Sequence, residues 1–375
     1  MIKHIPLFKV FVADDASHKV SEVLRSGYIG QGPKVEEYES ALKKHFGTDY
    51  VATVNSCTSA LQLAVHLIKK DNFSPDDEII TTPLTCFASI SSILANNVRV
   101  RWADVDPNNC NIDLTDVERK LSPRTRGLLV VHWGGYPVDL DRLRDIQQKY
   151  QKVYGRFLPI IEDCAHCWSA KFKNELIGTS GNYCCFSHQA IKFLTTSDGG
   201  TLITPDAKTH YRAKLLRWFG LDRDAGASFR CIQDIRESGF KYHLNDVSAA
   251  IGLANLPFVE DLVEKHRDNS AFYDEELEGV SGVTLLENRP EIESSCWLFT
   301  MKVEERKLFI EHMKSRGIDC SPVHARCDKH SCVQEFRACL PGMDSLENTM
   351  CCIPVGWWLT EEDRQYIVNS IKEGW

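Results

Sequence analysis

Apolar positions along the chain fall into two regimes. From about residue 48 to 205, short runs of apolar residues alternate with segments whose apolar residues recur every three or four positions. Residues 51–54, 78–82, 98–103, 127–132, 158–162, 184–187 and 201–204 read as strands. Between them, 60–70, 87–96 and 140–150 read as helices; the first puts Leu61, Ala64, Val65 and Ile68 on one face. Strands separated by helices, and apolar rather than alternating, imply a sheet covered on both faces with parallel strands. The expected class is α/β, with a mostly parallel central sheet sandwiched by helices.

From about residue 256 the character changes. A long helical pattern spans 256–278, strand patterns cover 295–303 and 318–323, and a terminal helix covers 361–372. The expected division is a large α/β domain over 1–255 and a small α+β domain over 256–375, with the N-terminal segment packing on the small one. Pro257 punctuates the junction. There is no internal repeat and no low-complexity tract.

Composition narrows the function classes. With 43% apolar and 26% charged residues, the 375-residue chain is a globular protein and not a mostly disordered one. A net charge of −8 without a Lys/Arg block argues against a nucleic-acid binder, which needs a basic face. No run approaches the ~18 apolar residues of a spanning helix, so no membrane partner is expected. The opening residues lack the apolar run of a signal peptide. Fifteen cysteines then read as free thiols in a reducing cytoplasm.

Ligands of parallel α/β sheets sit at the carboxyl ends of strands, so chemistry is sought there. After the first strand, Asn55-Ser56-Cys57-Thr58-Ser59 opens a helix with small hydroxyl residues, either as ordinary capping or as a phosphate cradle. After the second, Phe87 follows Pro83-Leu84-Thr85-Cys86 and serves either the core or a planar cofactor. Asp163 ends the apolar run at 158–162, either capping a loop or pairing with a buried cation such as a protonated pyridine. Lys192 lies among Ile191, Phe193 and Leu194 with hydroxyls around it, a setting that favours a neutral, nucleophilic amine; Ser187 stands five residues earlier. Cys164, His166 and Cys167 suggest zinc, but no second pair supplies finger spacing, and no metal is expected. Together, a phosphate cradle, an aromatic platform, an acid and an amine are what pyridoxal 5′-phosphate (PLP) requires.

On these residues the chain resembles the DegT/DnrJ/EryC1/StrS family of sugar aminotransferases, within the fold type I PLP enzymes. The resemblance runs nearly end to end. It rests on residues 28–39 (YIGQGPKVEEYE), 55–61, 83–89, 162–166, 187–200 and 239–252 (GFKYHLNDVSAAIG) in the family's order. It implies that Lys192 links covalently to PLP and shuttles protons, and that Asp163 holds the pyridine nitrogen. His166 would lie on the cofactor's 3′-oxygen side and Phe87 on its ring, while Cys57, Thr58 and Ser187 would bind its phosphate. Lys241, in the last motif, would reach the cofactor of a second copy across a homodimer with shared sites. Tyr28, His324 and Arg326 would face substrate, and Lys34, Arg223 and Arg326 its diphosphate. His132 either borders the site or is a satisfied core histidine.

Three departures stand out. Cys57 replaces a common Gly, Lys241 a common Asn, and Ser187-His188-Gln189-Ala190-Ile191-Lys192 differs from relatives that place an aromatic and a His before the lysine. The residues 323–332 (VHARCDKHSC) admit a zinc reading or a loop at the substrate entrance, and the resemblance favours the loop. The implied reaction moves an amino group, with glutamate as donor, onto a keto-deoxysugar carried on a nucleotide. A PLP-dependent sugar dehydratase or lyase, or a non-catalytic regulator of the same fold, are the alternatives. Lys192 argues against the branch that carries His instead.

Overall fold

The computed structural model describes residues 3–69, 73–223 and 233–375. Helices α1 (Ala16–Ser26) and α2 (Pro33–Phe46) lead into β1 (Val51–Val54). There follow α3 (Cys57–Lys69), β2 (Glu78–Thr81), α4 (Phe87–Leu94), β3 (Arg99–Trp102), α5 (Leu114–Lys120), β4 (Thr125–Val131), α6 (Leu140–Tyr154) and β5 (Ile160–Asp163). Short strands β6 (Lys171–Phe172) and β7 (Glu175–Leu176) precede β8 (Tyr183–Ser187) and β9 (Gly200–Ile203). Helices α7 (Ala207–Leu216), α8 (Asp246–Asn255) and α9 (Val259–Leu277) come next. The chain closes with β10 (Val283–Leu285), β11 (Ile292–Glu293), β12 (Phe299–Val303), α10 (Arg306–Ser315), α11 (Pro341–Leu346), β13 (Met350–Ile353) and α12 (Glu361–Lys372).

The central sheet has the order β1-β9-β8-β5-β4-β2-β3. Neighbouring pairs are parallel except the two that involve β9, so β9 alone runs against the rest. Strands β1, β2 and β5 are buried at every position, as apolar strands under two helical layers must be. The carboxyl ends of β1, β2, β4, β5 and β8 therefore share one edge. A second sheet, β10-β12-β13, is antiparallel.

Two apolar cores form. The larger gathers Tyr38, Leu61, Leu63, Trp102, Trp133 and Phe186 around the central sheet. The second gathers Tyr273, Phe299, Phe309, Ile353 and Ile367. Each fully buried side chain of this size stabilises by ~1.5–3 kcal/mol. Ile5 joins the second core, and its backbone is bonded to Gly317 and Asp319. Trp297 and Leu298, although far along the chain, belong to the first. Among the described residues no helix is long and apolar enough to cross a membrane.

Several elements differ from the reading of the pattern. Residues 318–323 form no strand; Ile318 and Ser321 make isolated bridges to Ile5 and Cys352. The strand expected from 295 begins at Phe299, because the preceding residues dock on a glycine turn instead. Ser295 N and Leu298 N donate to the carbonyls of Gly135 and Gly134, and Cys296 takes a positive φ of 51°. Helix α3 begins at Cys57 and is described to Lys69; Lys70 lies outside the described residues. Helix α2 covers much of the expected substrate-loop motif. Its first turn is capped from far away by buried Asp246 of α8, which accepts from the backbone N–H groups of Gly32, Lys34 and Val35.

Candidate active site

The turn after β1 carries a ready-made anion cradle. Ser56 Oγ accepts from Ser59 N at 3.1 Å, and Ser59 Oγ donates to Asn55 Oδ1 at 2.6 Å. Capping by Ser56 thus occurs, and it leaves the first N–H groups of α3, at Cys57 and Thr58, without intrahelical acceptors. Gly200 of β9 passes so close that a Cβ there would lie 2.6 Å from Cys57 N. Cys57 itself is buried, and its thiol donates to Cys185 O. A side chain is therefore tolerated where relatives have Gly, because it points into the sheet. Ser187, at the end of β8 on the same edge, is half-buried and accepts from Gln189 N.

Asp163 ends β5 and is buried. Its Oδ2 accepts from Ser89 Oγ at 2.7 Å and its Oδ1 from Ala165 N at 3.1 Å; Thr85 Oγ1 lies 2.8 Å from Ser89 Oγ. Burial raises its pKa, while the Ser89 hydrogen bond, the Ala165 amide and the Lys192 charge oppose that rise. Such a carboxylate is held in position and short of a cation.

Lys192 supplies the amine. Its Nζ sits 3.4 Å from the centre of the Trp297 ring, and burial lowers its pKa from 10.5 to about 7, with Asp163 pulling the other way. Trp297 donates its indole N–H to Ile191 O at 3.2 Å and stacks on His166, with centroids 3.9 Å apart and planes at 16°. His166 is buried, its Nδ1 has no hydrogen-bond partner, and burial together with the Lys192 charge holds it well below the ordinary histidine pKa. His324 is brought alongside: burial and then the Lys192 charge lower its pKa to about 4. It is presented by a tight turn in which His324 N donates to Pro322 O at 2.7 Å and Val323 takes φ 66°. That conformation costs a β-branched residue on the order of 1–3 kcal/mol.

These residues fit PLP on the structure's own terms. The site offers a buried carboxylate for a pyridinium, an unanswered imidazole nitrogen, an amine poised to be neutral and a helix N-terminus for phosphate. Phe87 starts α4 on the same edge, half-buried, with its ring edge-on to His330 at 5.1 Å.

Other expected residues fall elsewhere. Arg326 is a correction: its buried guanidinium is taken by Asp328 at 2.8 Å, by Asp344 and by Glu347, which leaves it a structural part in place of a substrate contact. His132 is the satisfied histidine. Its Nδ1 accepts from Val138 N and its Nε2 donates to Glu162 at 3.0 Å. His188, the unexpected residue before the lysine, donates from Nδ1 to Leu194 O and accepts from Thr201 at Nε2, so it braces the loop from beneath. Tyr28 is 68% exposed. The Lys241 segment lies against the cradle turn of its own chain: Asn55 Nδ2 donates to Lys241 O and Asn55 N to Tyr242 O. Lys34 pairs with Glu37, and Arg223 donates to Gln31 O. The chemistry-bearing side chains of 323–332 do not gather as metal ligands: Cys327 is buried and donates to Thr85 O, while Cys332 is exposed. The one candidate ligand group among the described residues, His132, Glu162 and Cys164, has its imidazole and carboxylate already engaged in hydrogen bonds. Every described cysteine is free.

Trp297 and Ser89 are the site residues whose roles the sequence did not disclose. Ser89 stands within a quoted motif, so its spacing from Phe87 was a usable signal. Trp297 had none, since it meets Lys192 only through tertiary packing.

The model of the DegT/DnrJ/EryC1/StrS aminotransferase family matches residues 12–372. AtS13 from Actinomadura melliaura is 48% identical, with all of both chains covered and a TM-score of 0.96. The sugar aminotransferase CalS13 from Micromonospora echinospora is 44% identical over all of both chains, with a TM-score of 0.95. UDP-4-amino-4-deoxy-L-arabinose–oxoglutarate aminotransferase of Shewanella sediminis is 28% identical, covering 98% of this chain and 97% of its own.

Proposed function

We propose that this chain, which belongs to the DegT/DnrJ/EryC1/StrS aminotransferase family, moves an amino group from glutamate onto a nucleotide-linked keto-deoxysugar. It is a PLP-dependent aminotransferase, and sugar aminotransferases are among its relatives. The observation that carries the reading is the Lys192 amine, lowered to about 7 by burial and set on the same sheet edge as the buried, oriented Asp163. Bound PLP supplies an electron sink and a carrier for the amino group between donor and acceptor.

The chain's residues supply the rest. Asp163, oriented by Ser89 and the Ala165 amide, holds a positive charge at the ring nitrogen. Cys57, Thr58 and Ser187 present N–H and O–H donors to the phosphate. His166 offers its free Nδ1 to the cofactor's ring oxygen, and Trp297 fixes the imidazole plane. Lys192 takes and returns a proton at Nζ, which a pKa near 7 permits in both directions. Phe87 covers the ring from α4. His324, neutral at working pH, accepts from or donates to a sugar hydroxyl.

The sugar is supported by CalS13, described as a sugar aminotransferase, and the nucleotide and the glutamate/oxoglutarate pair by the name of the Shewanella sediminis enzyme. Tyr28, exposed on a Gly-rich loop, is taken in this reading as a residue that meets an extended substrate. The same reading takes the active unit as a homodimer in which the exposed Lys241 side chain reaches the partner's cofactor phosphate. Free thiols support a cytoplasmic setting.

The test is kinetic. The enzyme is converted to its aminated form with glutamate, and keto-sugars are then offered with and without a nucleotide. The proposal expects nucleotide-linked keto-sugars to discharge the amine fastest. If simple keto acids are far faster than every keto-sugar tried, the sugar assignment is lost. Mixing Lys192→Ala and Lys241→Ala chains tests the shared site: activity that neither parent has should return in hybrids.

A further inference from the structure

We infer that the end of the sheet opposite Lys192 carries a second site, one for a small phosphate anion such as a diphosphate group. A cavity of about 250 Å³ opens there, at the amino ends of β2 and β3 and beside the turn that enters β4. Arg99, Arg101, Lys120, Arg124 and Arg337 line it. The accumulation is local, because the chain as a whole is acidic at −8.

The charges there are unevenly matched. Arg99 is held by Glu335 at 3.3 Å and lies over Phe336, and Lys120 is held by Asp116 at 2.7 Å. Arg101, Arg124 and Arg337 are exposed and have no carboxylate partner among the described residues. The lining acids do not balance them. Five basic side chains face three acidic ones, Asp76, Glu78 and Glu335; Glu335 is taken by Arg99, and Glu78 is buried and accepts from Ser122 Oγ at 3.1 Å. Three guanidinium groups without a carboxylate partner among the described residues line one hollow. Their planar forks suit the oxygens of a phosphate chain, two at a time.

A second observation comes from the wall. Arg99 and Arg101, two residues apart on β3, project from one face of the strand, while Val100 and Trp102 project from the other and are buried in the core. The volume falls below the ~300–1,000 Å³ of pockets for drug-sized ligands, so the site reads a phosphate chain and not a whole nucleotide.

The same loop touches both ends of the sheet. Residues 324–337 begin with His324 near Lys192, pass His330 against Phe87, and end in the short helix Ser331–Phe336 with Glu335 and Phe336 on Arg99. An anion competing with Glu335 for Arg99 would act on that loop.

The experiment is calorimetric titration of the PLP-loaded enzyme, whose own phosphate cradle is filled, with inorganic diphosphate and in parallel with UDP at low salt. Saturable binding of inorganic diphosphate is expected, weakened at least about tenfold in Arg101→Gln/Arg337→Gln while transamination stays within about twofold of wild type. Arg124→Gln should weaken it independently. Similar affinity for diphosphate and UDP supports recognition of the phosphate chain alone. No saturable binding of inorganic diphosphate, binding of UDP only, or equal affinity in the double variant overturns the inference.

Discussion

Lys192, half-buried, and Arg326, buried, are two cations withdrawn from solvent, and they are treated in opposite ways. Arg326 is met by Asp328 on two nitrogens and by Asp344 and Glu347 on a third, and its pKa is raised. Lys192 has an aromatic face at 3.4 Å and no carboxylate in hydrogen-bond contact among the described residues, and its pKa falls to about 7. A saturated cation is fixed and inert; an unsaturated one is chemically available. Burial alone does not separate structure from function here. The number of partners does.

The comparison can be broken at either end. Lys192→Ala removes the amine and the proton carrier together, so transamination should fall on the order of 10⁴-fold with the fold intact. Borohydride reduction of the wild type followed by peptide mapping should place the pyridoxyl label on Lys192, and a label on another lysine refutes the assignment.

Arg326→Ala should act on stability instead. It strands the buried Asp328 carboxylate, and breaking a buried pair costs about 3–5 kcal/mol. Chemical denaturation should show that loss, while residual folded enzyme keeps its KM for the sugar. A raised KM with unchanged stability would return Arg326 to the substrate.

Asp163→Asn tests the partner of the site rather than its amine. Loss of a positioned charge should lower turnover by about 10²–10³-fold, with PLP still bound. Ser89→Ala should act in the same direction and more weakly, by about 1.5–3 kcal/mol at most, since it removes one hydrogen bond to a charged group. Wild-type turnover in Asp163→Asn would show that Asp163 does not face the ring nitrogen.

The smallest effect is a pH dependence. The apoenzyme takes up PLP through a neutral amine, and the neutral fraction of Lys192 grows as pH rises through its lowered pKa. The rate of forming the reducible link should therefore climb with a midpoint near pH 7, where a lysine of ordinary pKa would still be charged. A rate still climbing steeply at pH 9 would mean that burial has not lowered the amine.

Most of the site was legible because strand ends are legible. Apolar runs fixed β1, β2, β4, β5 and β8, and the residue types just after them announced phosphate, acid and amine. What escaped was carried by contacts distant in sequence. Helix α2 repeats Val35, Tyr38, Leu42 and Phe46 at helical spacing, but its cap comes from Asp246, more than two hundred residues on. Residues 318–323 have the composition of a strand but find no continuous partner. His188 looked like a departure in the pocket, whereas its ring turns inward to Leu194 and Thr201.

The sequence by itself determined the α/β class and the strand ends after which Asp163 and Lys192 stand, because local periodicity and residue type are properties of short segments. Only the tertiary structure decided which cations stay free and which are saturated. It set Trp297 against Lys192 and His166, gave Asp163 its Ser89 partner, closed Arg326 inside three carboxylates and left Arg101, Arg124 and Arg337 without one among the described residues. The physical reason is that desolvation and charge pairing depend on what arrives from elsewhere in the chain, and no short stretch of sequence records its neighbours in space.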